Sequence, residues 1–111
     1  MSELADRTVV ADALATLDSA NQMALSVLMQ TPEGDEKLMD GLNHHLDRAT
    51  KAKLLNTMKL EKLGHWLGET APGRLQIRLM ETARASHHPA FQAFRSGLVK
   101  TRALERAYPK A

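Results

Sequence analysis

Three short clusters of chain breakers do most to limit what this chain can fold into. Thr31-Pro32-Glu33-Gly34-Asp35, Leu67 to Gly73 and Ser86-His87-His88-Pro89 interrupt the sequence. Proline and glycine in such places start or end helices and do not sit inside them. Between the clusters apolar residues recur three and four positions apart, and valine and isoleucine are few. That is the pattern of amphipathic helices. The expectation is an all-α fold, a small bundle of about four helices with short connections, forming a single domain over residues 1–111.

The first helix is expected to run from about residue 3–8 to Gln30. Val10, Ala13, Leu17, Ala20, Ala24 and Val27 hold a 3-4-3-4 spacing, and Leu14, Leu25 and Leu28 widen that stripe. Asn21 falls inside it, where a polar residue commonly fixes the register of a bundle. The second helix starts at Thr31 as cap and Pro32 as first residue, with Glu33, Asp35 and Glu36 suiting its positive end. It is expected to reach Trp66-Leu67, with Gly68 closing it. Leu38, Leu42, His45, Ala49, Ala52, Leu60, Leu63 and Leu67 share one side, whereas Leu54, Leu55 and Met58 lie off it. Either the helix bends near 53–58 or it carries a second apolar patch. A third helix over about 71–85, capped by Thr70, presents Leu75, Leu79, Met80 and Ala83, with Ile77 pointing elsewhere. A fourth runs from Pro89 to before Pro109, with Phe91, Phe94, Leu98, Thr101, Leu104 and Tyr108 on one side.

Composition removes some chemistries. The chain has no cysteine, so it offers no disulfide, thiolate nucleophile or cysteine-ligated zinc or iron–sulfur site. The first ten residues carry mixed charge without an apolar core, unlike a signal peptide, and no apolar run approaches the ~20 residues that span a bilayer. A soluble, cytoplasmic protein that engages no membrane is expected.

Charge is divided along the chain. Residues 1–47 carry nine of the thirteen acids and only two of the fifteen bases, although the net charge is +2. Such a chain can bind its own copies, pair its two halves, or offer its basic half to a polyanion.

Four of the five histidines form the doublets His44-His45 and His87-His88. Adjacent helical side chains diverge by about 100°, so His44 and His45 cannot both face one metal, and no third ligand stands near His87 and His88 in sequence. His45 is expected as a hydrogen-bonded seam residue. His44, with Asp40, Asp47, Lys37 and Lys51, is expected in a surface ion-pair ladder. His87 and His88 belong to a helix-start turn. No metal or cofactor is expected. Trp66-Leu67-Gly68 reads as packing at a helix end, and no family resemblance follows from it.

No catalytic motif is present: no G-x-S-x-G, no phosphate-binding glycine loop and no H-E-x-x-H. A non-enzymatic role is expected. The favoured reading is a protein-interaction module, a small regulatory, inhibitor, adaptor or chaperone-like subunit. It would meet a protein partner, and a second copy in a homodimer, through Leu54, Leu55, Met58, Met23 and Met29. The methionines are included because their flexible thioethers suit adaptable surfaces. The competing reading is a nucleic-acid-associated helical protein. There Arg95, Arg102 and Arg106, within about 40° on one helix face, would track the phosphate backbone with Lys100.

Overall fold

The computed structural model describes the backbone of residues 3–52 and 56–101, and side chains from residue 9 onward within those ranges. Six helices form among the described residues: α1 (Glu3–Ala15), α2 (Ser19–Leu28), α3 (Pro32–Ala52), α4 (Thr57–Thr70), α5 (Gly73–Arg84) and α6 (Pro89–Val99). The all-helical class stands as expected. The helix number does not, because the two long helices read from the spacing are each broken in two.

The first break follows Ala15. Asp18 caps α2, its Oδ1 accepting from the Asn21 backbone N–H at 2.8 Å. The Asn21 amide donates back to the Thr16 carbonyl at 2.8 Å and to its hydroxyl at 2.7 Å. Gln22 donates to the Leu17 carbonyl at 3.1 Å. Polar side chains thus occupy the backbone groups that a continuous helix would pair internally. Asn21 ties a corner between two helices; it does not set a seam register. The corner also resets the helical phase. Leu25 and Met29 are buried in α2 and its cap, while Val27, Ala20 and Ala24 of the expected stripe are exposed.

The second break realises the bend anticipated near 53–58. Helix α3 ends at Ala52, and Asn56 caps α4 by accepting from the Lys59 N–H at 3.1 Å. Thr31 caps α3 as expected, its hydroxyl accepting from the Gly34 N–H at 3.2 Å. Thr70 does not cap α5. Its hydroxyl donates to the Trp66 carbonyl within α4, and Pro72 holds the cap position of α5. Gly68 does not end α4 either: it lies two residues inside the helix and is buried.

The closest pairing is α4 across α6. A Cβ on Gly97 would stand 1.8 Å from the Glu61 carbonyl oxygen, and one on Gly64 would stand 2.1 Å from that of Phe94. The helices therefore meet backbone to backbone, and glycine is the only residue either position admits. Helix α1 packs on α3, and α5 covers α6. Leu14, Leu25, Leu38, Leu42, Leu46, Leu63, Leu67, Leu75, Leu79, Phe94 and Leu98 fill one continuous core.

The charge division is partly spent inside the molecule. Asp35, 4% exposed at the start of α3, receives the Arg74 Nε at 2.6 Å. The same guanidinium donates to the Met29 carbonyl at 2.7 Å. One helical turn further along α5, Arg78 grips Glu36 through two bonds of 2.6 and 3.1 Å. That contact holds the Glu36 carboxyl below the ordinary carboxylate range.

Candidate functional site

Trp66 is the chain's single tryptophan. It stands on α4 where α2 and α6 both approach, partly buried against the core. On one side lies a groove of about 360 Å³ whose walls include Met58, Lys62 and His65 of α4 and whose far side is Gly97 and Lys100. The missing side chain at Gly97 lets the α6 backbone approach that of α4. On the other side of the same indole, Met23, Val27, Gln22 and Ser26 of α2 line a second groove of about 470 Å³.

Three large apolar side chains around this indole face water: Met23 is 71% exposed, Val27 62% and Met58 69%. Isolated exposed apolar residues are ordinary, but several around one aromatic form a contiguous patch. The indole N–H has no hydrogen-bond partner among the described residues. Tryptophan offers a large apolar area with one donor, the combination enriched at interfaces.

The rim is polar and already paired. His65 Nε2 meets Glu69 Oε1 at 3.0 Å, and Lys100 binds Glu61. The Lys100 ammonium, helped by the Ser96 hydroxyl, keeps the Glu61 carboxyl below its ordinary value. An apolar centre inside a paired, solvated rim is the usual anatomy of a protein–protein contact. No nucleophile is hydrogen-bonded to His65 among the described residues.

The residues expected at an interface are only partly gathered. Met58 and Met23 flank Trp66 from opposite sides. Met29 does not belong there: it is 5% exposed, held in the core by the phase change at the α1–α2 corner, so it offers no surface to a partner. Leu54 and Leu55 lie outside the described residues. Of the basic tract, Arg95 is exposed, Lys100 is committed to Glu61, and Arg102 and Arg106 lie outside the described residues.

His88 caps α6 through Nδ1, which accepts from the Ala90 N–H at 3.3 Å and lies 3.2 Å from the Thr50 hydroxyl. His45 is partly buried but has no hydrogen bond among the described residues, against expectation. Among the described residues, Asp40, His44 and Asp47 form no ion pair with Lys37 or Lys51. No group of three or more His, Cys, Asp or Glu side chains could hold a metal among the described residues, and none of their helices is long and apolar enough to cross a membrane.

Trp66 and Val27 are the functional candidates that the spacing misplaced. Trp66 stood at an expected helix end, whereas α4 continues past it to Thr70. Val27 fell on an expected core stripe. The one sequence signal was that Lys62 and Glu69 stand four residues before and three after Trp66, which places charge beside the indole.

Comparison of the chain with family models, with curated proteins and with solved structures gave no match.

Proposed function

We propose that this protein is a non-enzymatic interaction module whose binding surface is the Trp66 face. The observation that carries the reading is the convergence of exposed Met23, Val27 and Met58 on two grooves that share one indole. Withdrawing these side chains from water supplies most of the driving force, at roughly 25 cal/mol for each Å² of apolar surface. The methionine side chains adapt to a partner's contours. A second copy of the chain is the first partner to test, since a face of this kind can pair with itself about a two-fold axis.

Sedimentation equilibrium of wild type, Met23→Glu and Met58→Glu tests this directly. The expected result is a concentration-dependent dimer in wild type, a monomer in both variants, and equal helicity by circular dichroism. If wild type is a monomer, a photocrosslinker at position 58 should capture a distinct protein, and Met23→Glu should abolish that capture. Absence of both self-association and Met23-dependent capture would rule the surface out.

A further inference from the structure

A smaller cleft lies where the end of α1, the middle of α3 and the start of α4 meet, away from Trp66. Its volume is about 230 Å³. Leu14, Ala49 and Leu60 form apolar walls, and His45, Asn56 and Lys59 supply the polar groups. We propose that this cleft binds a small apolar carboxylic acid, with the carboxylate at Lys59, Asn56 and His45 and the apolar body against Leu14, Ala49 and Leu60.

The donors that line the cleft carry the argument. Asn56 and Lys59 are exposed and solvated, whereas a partly buried polar group such as His45 normally finds a hydrogen-bond partner, and one left without it is costly. His45 has none among the described residues. Asn56 spends its oxygen as the α4 cap, accepting from the Lys59 N–H, which leaves its two amide N–H donors unused. The Lys59 ammonium makes no ion pair among the described residues. A neutral imidazole has one N–H to give, the amide two and the ammonium three. No carboxylate is among the described residues that line the cleft. An anionic acceptor complements this donor set.

Charge and size narrow the class. Lys59 is the only formal cation among the described residues that line the cleft, which balances one carboxylate but not a phosphate dianion. The volume lies below the ~300 Å³ at which drug-sized ligand pockets begin, so the body is no larger than one ring or a short chain. Imidazole neutrality also suits the site. Burial, reinforced by the charge of Arg48, holds His45 below its ordinary value, with Asp12 opposing.

The test uses the full chain with benzoate and benzyl alcohol as probes of matched shape, differing in charge. Binding is read from NMR shifts of the Leu14, Leu60 and Ala49 methyls and the His45 ring. Benzoate should give saturable shifts at these groups and bind more tightly than the alcohol. Lys59→Met should weaken benzoate about tenfold, near 1.4 kcal/mol, and leave the alcohol unchanged. Asn56→Asp keeps the capping oxygen but replaces the amide donors with a negative charge, and should also weaken benzoate. The proposal is overturned if the alcohol binds as tightly as benzoate, if no saturable shift appears at these groups, or if Lys59→Met matches wild type. Lys59 is exposed, so that variant decides the matter even if Asn56→Asp loses helix.

Discussion

At the scale of single residues, His45 and Met29 show what apolar spacing conceals. Spacing placed His45 on the inner side of its helix, and it is indeed partly buried, but spacing carries no information on whether a hydrogen bond awaits it. The consequence is a pH dependence of stability. Because the folded protein holds His45 below the ordinary imidazole value of about 6.5, the unfolded chain takes up its proton first as pH falls. Stability is then full above that value, declines as pH drops through it, and levels off below the folded value. Urea denaturation at pH about 7.5 and about 5 should show a smaller decline for His45→Gln than for wild type. Equal declines would mean that the imidazole is solvated. Met29 failed for a different reason: its position on a wheel was right only if the helix began where the spacing implied.

At the scale of elements, helix content was legible and helix boundaries were legible only where proline marked them. Thr31-Pro32 and His88-Pro89 start helices as read. The α1–α2 corner was hidden because Leu14, Leu17 and Leu25 keep helical separations across it, while the side-chain bonds of Asp18 and Asn21 that break the helix leave no periodic trace. Local pattern also misplaced Gly68 and is silent on Gly64 and Gly97. Gly68 looked like a helix end, and the role of Gly64 and Gly97 depends on a crossing between segments thirty residues apart, which no local pattern encodes. Gly97→Ala should cost about 3 kcal/mol, since a methyl cannot fit against the Glu61 carbonyl. Gly73→Ala is the control. It opens α5 with nothing within 4 Å of a Cβ, and should be neutral or gain up to about 1 kcal/mol. Chemical denaturation of the two variants side by side checks both.

At the scale of the whole molecule, the divided charge was plain in the sequence but its use was not. Three outcomes were open, and the fold employs part of the division internally, through Arg74 with Asp35 and Arg78 with Glu36. These pairs remove two arginines from any polyanion surface, and Lys100 is likewise taken by Glu61. Fluorescence anisotropy of a labelled duplex should therefore show only weak binding at ~0.15 M salt, and Arg95→Gln should change it little. Micromolar affinity that falls steeply with salt would instead restore the basic tract as the working surface. The Trp66 face was legible only in fragments: Met23 and Met58 were expected at an interface, but three helices contribute to the face and only their packing brings Met23, Val27 and Met58 to one indole.

The bare backbone crossing of α4 on α6 has a consequence for how this chain can change over generations. In a saturation scan read by cell-surface display or protease resistance, positions 64 and 97 should tolerate no replacement, not even the smallest. Exposed neighbours such as Lys62 and Arg95 should accept nearly all. Drift would then rewrite the surface freely while two invariant glycines hold the architecture, so distant kin would share this fold with little else in common on the page.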